Sequence, residues 1–202
     1  YNITPDPGQL QLSMEELRRI NTSRLGLYSS FTDAGTGPGG AVLPAVEVRT
    51  ALTLNGLYDV TKVGGVFPNY GGANRLELWG FGGADSHVQV SADISTDVGS
   101  GGNDAALQVW LASASSANTS AGTVNVNAGI RSYGGSIALQ GDLVNINGLI
   151  NANSTQADQG LGLVAIFPGS NSRGMNLGTK QAGTLGILRD ELALITAGTI
   201  QF

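Results

Sequence analysis

The stretch VNVNAGI at residues 124–130 returns as VNINGLI at residues 144–150. A unit of 20 residues cannot enclose a core by itself. Recurring units must therefore bury their apolar faces against one another. The phrase has the form apolar–x–apolar–Asn/Ser–Gly/Ala–x–apolar. It also fits VQVSADI at Val88–Ile94, and LTLNGLY at Leu52–Tyr58 with Tyr in the last place. The spacings are 36, 36 and 20 residues.

Within the phrase, Val124 and Val126 share one face of a strand, because side chains alternate with period two. Asn127 breaks the alternation. Asn tolerates the left-handed region and bonds its own backbone, so Asn55, Asn127 and Asn147 read as corner residues. Ala128 or Gly148 keeps the corner small. Ile130 or Ile150 then points back into the same core from a new strand. GGSIALQGD at residues 134–142 supplies another strand, in which Ile137 and Leu139 alternate with Ser136, Ala138 and Gln140. Two to three strands per 20 residues make one turn of a parallel β-helix. Stacking at about 4.8 Å sets Asn127 beside Asn147 and Asn125 beside Asn145, as side-chain ladders. Further strands are expected at Val46–Val48, Leu76–Leu78, Ala106–Leu111 and Leu161–Phe167. Loops are expected at residues 32–40, 68–74, 95–104, 113–122 and 151–159, which are rich in Gly, Ser, Asn and Asp.

Composition agrees with an all-β chain and removes several functions. Of 202 residues, 31 are Gly and 41% are hydrophobic, mostly small aliphatics in short alternating runs. The net charge is -5 and the ten Lys and Arg are scattered. Nucleic acid and anionic membrane surfaces want a clustered basic patch, so neither is expected as a partner. No apolar run approaches the roughly 18 residues of a membrane span. There is no Cys, hence no disulfide, thiolate metal site or Cys nucleophile. No signal peptide is visible and the sequence opens with Tyr1, which reads as a mature product or an excerpt of something longer.

One helical signal stands apart. In LSMEELRRINT, Ser13 and Glu16 form a capping box, and Leu17 and Ile20 share a face, so a helix of about two turns is expected over Met14–Ile20. This element recurs. PGQLQLSMEELRRINTSRLGL at residues 7–27 aligns without gaps onto AGTLGILRDELALITAGTIQF at residues 182–202, at an offset of 175. Gly8/Gly183, Leu10/Leu185, Glu16/Glu191, Leu17/Leu192 and Ile20/Ile195 are identical. The expectation is one continuous segment over 1–202, either a unit of a tandem array or a subunit that joins identical subunits end to end.

The pattern of Glu16, Leu17, Ile20 and Leu25, repeated in Glu191, Leu192, Ile195 and Ile200, resembles repeats in very large bacterial exoproteins. These are the filamentous-haemagglutinin-like proteins of the two-partner secretion type. GGSIALQGDLVNINGLINANS at residues 134–154 also resembles their coils. The resemblance covers residues 7–27, 122–167 and 182–202, and is weak over 28–75. It implies a right-handed parallel β-helix (solenoid) with irregular loops, secreted across the outer membrane of a Gram-negative bacterium through a membrane partner. It further implies an extracellular or cell-surface fibre or adhesin with a glycan or protein receptor. The family's N-terminal secretion motifs are absent, so the chain reads as shaft. The resemblance carries over no catalytic residue, cofactor or metal.

Candidate chemical sites are few. His87, the single His, sits in ADSHVQV beside Asp85 and Ser86, but neighbours on a strand point to opposite faces, against a catalytic triad. GSGGND at Gly99–Asp104 is one imperfect copy of a Gly-rich calcium coil that binds only in tandem. A β-helix that binds or cleaves polysaccharide is the alternative. Cleavage needs converging carboxylates, and the adjacent acidic pairs, Glu15-Glu16 and Asp190-Glu191, lie in the helical element instead. Binding would use aromatic faces: Trp79, Phe81, Trp110, Tyr70 and Tyr133. Trp110 is placed outward in ALQVWL, opposite to Leu107, Val109 and Leu111, where a loop or a partner must cover it.

Overall fold

The computed structural model describes residues 12–13, 16, 24–30, 45–53, 74–81, 86–95, 107–114, 122–154, 161–171 and 173–202. The chain runs in circuits that visit three parallel sheets in turn. The first circuit holds β1 (Arg24–Ser30), β2 (Val46–Val48) and β3 (Leu52–Thr53). The second holds β4 (Asn74–Phe81), β5 (His87–Val90) and β6 (Ile94–Ser95). The third holds β7 (Leu107–Ala114), β8 (Thr123–Val126) and β9 (Ile130–Arg131), and the fourth β10 (Ile137–Gln140), β11 (Leu143–Ile146) and β12 (Ile150–Asn151). The fifth opens with β13 (Leu163–Phe167). It leaves the pattern through β14 (Gly174–Leu177), β15 (Thr184–Ile187) and a short helix, Arg189–Leu192, and returns as β16 (Ile195–Thr196). β17 (Thr199–Gln201) then starts again.

The first sheet has the order β1-β4-β7-β10-β13-β17, the second β11-β8-β5-β2 and the third β16-β12-β9-β6-β3. Every pairing between described strands is parallel, so the fold is all-β. The expected strands are present, mostly with shifted ends: the run around Leu76 extends to Phe81, and that around Val109 to Ala114.

Register explains why these sequences stack. In the first sheet Leu25, Leu76, Val109, Ile137 and Val164 lie in one column. In the second, Val46, Val88, Val124 and Val144 align, as do Val48, Val90, Val126 and Ile146. In the third, Leu52, Ile94, Ile130, Ile150 and Ile195 align. Most of these side chains are wholly buried. Each contributes about 1.5–3 kcal/mol when removed from water, and β-branched residues suit such a pleated, enclosed surface.

The register corrects one alignment of the repeat. Val46 pairs with Val88 and Leu52 with Ile94. The first copy of the phrase is therefore VEVRTAL at Val46–Leu52, and its corner position is held by Arg49. Leu52–Tyr58 is out of step by six residues, and Asn55 lies outside the described residues. The physics of the corner also differs. Asn127 and Asn147 do not adopt the left-handed region, which among described non-Gly residues is used by Tyr133 alone, at φ 47°. The corner is tight because coils approach closely there: a Cβ on Gly148 would lie 2.1 Å from the Ala128 carbonyl oxygen.

Of the helix expected over Met14–Ile20, only Glu16 is described, and it is helical. Its capping box with Ser13 is formed. Ser13 N–H donates to Glu16 Oε2 at 2.8 Å, and Glu16 N–H donates to Ser13 Oγ at 3.2 Å.

Candidate interaction site

Chemistry-bearing side chains gather in two places, both on outer faces. The first is the outside of the second sheet. There Glu47, Gln89, Asn125 and Asn145 form one column, because each lies between two inward valines or a valine and an isoleucine. Gln89 Nε2 donates to Glu47 Oε1 at 3.0 Å, and Ser91 Oγ donates to the same oxygen at 2.7 Å. Arg49 Nε donates to Glu47 Oε2 at 2.6 Å. Burial alone would raise the Glu47 carboxyl. The hydrogen bonds from Arg49, Ser91 and Gln89 outweigh it and hold the pKa below its ordinary value. Further along, Asn145 Nδ2 donates to Asn125 Oδ1 at 2.8 Å, and at the corner Asn147 Nδ2 donates to Asn127 Oδ1 at 2.9 Å. The column has a sense. Its bonded amides point their N–H groups toward the carboxylate end.

Lys180 closes the other end. Its Nζ donates to Asn145 Oδ1 at 2.6 Å, to the Val144 carbonyl at 3.1 Å and to Glu191 Oε1 at 2.7 Å. Glu191 Oε1 also accepts from the buried Ile146 N–H at 3.0 Å. In a parallel ladder, one residue of the next strand would donate to Val144 and accept from Ile146. Here an ammonium and a carboxylate do both jobs. β15 packs beside β11, with Leu185 and Ile187 wholly buried, but its ladder partner is β14. The second sheet therefore stops at β11. Glu191 Oε2 accepts from Leu188 N–H at 2.8 Å, the counterpart of the Ser13–Glu16 bond 175 residues earlier.

The second place is the outside of the first sheet. Tyr28, Trp79 and Phe81 pack together, with Tyr28 and Phe81 stacked at 6.4 Å, and Trp79 meets Trp110 at 4.7 Å between ring centroids. Outward positions beside the tryptophans are small: Ala112 pairs with Trp79 and Ala138 with Trp110. Arg75 lies over the Trp110 ring at 5.3 Å, a cation–π arrangement. Beneath sits Glu77, 1% exposed despite facing outward. Arg24 donates to it at 2.6 Å, the Tyr28 hydroxyl donates to the same oxygen, and Arg75 Nε lies 2.5 Å from the other. Burial would raise the Glu77 carboxyl. Arg24, Tyr28 and the charge of Arg75 together bring its pKa below the ordinary value. Trp110 is thus covered by Trp79 and Arg75. Tyr133 does not join the patch: it is 8% exposed, at the turn before Gly134.

Sequence reasoning did not find Lys180, Glu77 or Asp142. Asp142 is buried and accepts from Ser170 N–H at 3.0 Å and Ser170 Oγ at 2.8 Å, pinning the excursion of the fifth circuit. A charged residue between Leu76 and Leu78, with Arg75 and Trp79 as its outward neighbours, was the available signal for Glu77. Lys180 meets partners from distant segments, and no local pattern marks it. Tyr70, Asp85 and residues 99–104 lie outside the described residues. His87 and Ser86 follow one another along a strand edge, and no carboxylate is described beside them. No group of three or more His, Asp or Glu that would hold a metal occurs among the described residues, and no described helix is long and apolar enough to cross a membrane. No family model, curated protein or solved structure matches the chain.

Proposed function

We propose that the chain is a structural segment of an extracellular bacterial fibre or adhesin, built as a right-handed parallel β-helix. One observation carries this reading: aliphatic columns run in register through all five circuits on the first and third sheets and through four on the second, while the outer faces carry polar and aromatic columns. Such a body gains length by adding circuits, without redesign of those present. The handedness, the outer-membrane secretion partner and the cell-surface location follow from the resemblance to filamentous-haemagglutinin-like repeats. Function of this kind is mechanical, and recognition falls to outer faces or to distal parts. Electron microscopy of native material carrying this sequence tests the reading. A thin fibre with an axial repeat near 4.8 Å is expected. Compact isolated particles would refute it.

The patch of Tyr28, Trp79 and Phe81 favours a second reading, in which the shaft binds polysaccharide on its first sheet. Ring faces stack on sugar C–H surfaces, and Arg24 and Arg75 supply donors at the rim. Saturable glycan binding without turnover, lost in Trp79→Ala, is the expected result. Cleavage of the glycan would instead favour an enzyme.

A further inference from the structure

The element at 182–202 shows what the element at 7–27 is built to sit on. The two align residue for residue, and their glutamates accept the same backbone N–H bond, from Ser13 and from Leu188. Leu12, the counterpart of the buried Ile187, packs against the common core. β1 follows the first element as β17 follows the second, and Arg24 corresponds to Thr199. Among the described residues β1 and β17 are the two edges of one sheet. β17 pairs with β13: Leu163 with Thr199, Val164 with Ile200 and Ala165 with Gln201.

We propose that the β1 edge takes the β13 strand of a second copy of this chain, in parallel and in the place that copy's own β17 holds here, with Leu163 against Arg24 and Phe167 against Tyr28. This rests on the shaft reading and adds the partner and the register. The side chains fit the register. Val164 meets Leu25 and Ile166 meets Leu27, which extends both aliphatic columns of the first sheet. Ala165 meets Gly26, two small residues that leave room on the outer face beside Glu77. Phe167 meets Tyr28, continuing the aromatic column through Trp79. A slip of one residue would turn every one of these to the wrong face. The contact is head to tail, so it repeats without closing. Between β1 and β17 lie five pairing steps, and each copy adds about 24 Å at roughly 4.8 Å per step.

The test joins two copies in that register. Phe202 stands where Leu27 stands, so the full chain is extended by a second copy beginning at Tyr28. The expected product is a single rod about 24 Å longer by small-angle scattering, with one thermal transition. The same fusion begun at Ser29 is one residue out of register and is expected to show two separate bodies. The chain lacks cysteine, so engineered pairs report cleanly. Phe167→Cys in the first copy and Tyr28→Cys in the second should oxidise to a disulfide, given the close approach of paired strands. Leu163→Cys with Thr199→Cys, within one chain, is the control. If the control bridge forms while the in-register fusion behaves as two bodies without the junction bridge, the proposal is overturned and the shaft stands. If the control bridge fails to form, the coil register itself is wrong, and both readings go.

Discussion

Glu191→Gln is a sharp probe of how the second sheet ends. All three partners of the Glu191 carboxylate are donors: Ile146 N–H at 3.0 Å, Lys180 Nζ at 2.7 Å and Leu188 N–H at 2.8 Å. Glutamine fills the same volume but offers one oxygen and one NH2 group. Whichever way the amide turns, a donor faces a donor. Either the buried Ile146 N–H or the cap at Leu188 loses its acceptor, at about 1–3 kcal/mol. Lys180 is part-exposed and turns to water, so the lost ion pair adds at most about 1 kcal/mol. The sum is about 1–4 kcal/mol. For a chain of this size that lowers Tm by about 2–16 °C. Asp190→Asn, one residue away and exposed, should stay within about 0.5 kcal/mol of the parent. Calorimetry gives the Tm, and amide hydrogen exchange at Ile146 gives the local effect, which should be faster in Glu191→Gln alone. Equal melting of the two variants, with an unchanged Ile146 amide, would refute the assignment of this carboxylate as a substitute for the missing strand.

Three further outcomes are expected. Glu77 has a folded pKa below its unfolded value of about 4.3, so its contribution is present above that pH and lost as pH falls through the folded value. Glu77→Gln should therefore be less stable than the parent by about 1–3 kcal/mol at pH 7, with the gap closing in denaturant titrations as acid protonates the folded-state carboxyl. Asn125→Ala and Asn145→Ala should each cost about 0.5–1 kcal/mol. The double variant should cost little more than either, because one hydrogen bond joins them; full additivity in a double-mutant cycle would argue against the ladder. Gly148→Ala places a methyl 2.1 Å from the Ala128 carbonyl oxygen and should lose about 1–3 kcal/mol. Gly174→Ala meets nothing within 4 Å and should fall within about 0.5 kcal/mol of the parent in the same melts.

The parts of the fold legible in the sequence are those governed by short-range periodicity. The interval from Val124 to Val144 shows itself because both copies sit on adjacent circuits with no inserted loop, and the Asn125 and Asn145 positions follow from it. Longer intervals hide the register. Leu52 fits the phrase as well as Val46 does, and only pairing with Val88 or Ile94 separates them. The polar closures were not legible for a related reason. Lys180 and Glu191 act on Val144 and Ile146, whose unpaired backbone groups exist only once β15 fails to join the second sheet. Trp110 was placed outward correctly by alternation, but its cover came from Arg75 and Trp79, one circuit earlier, through a register that alternation does not encode.

The ion pair at the end of β11 has a mechanical consequence. Along the first and third sheets, backbone hydrogen bonds connect every circuit to the next. Along the second, β11 has no backbone ladder to the fifth circuit: Lys180 and Glu191 meet Val144 and Ile146, Ser170 and Arg173 hold Asp142, and β15 only packs alongside. A beam with one of its three walls breached is most compliant toward that wall. In a fibre that repeats this element every 175 residues, such breaches recur at regular intervals. Bending and salt-dependent softening then concentrate at Lys180 and Glu191, while the stretches between them stay stiff.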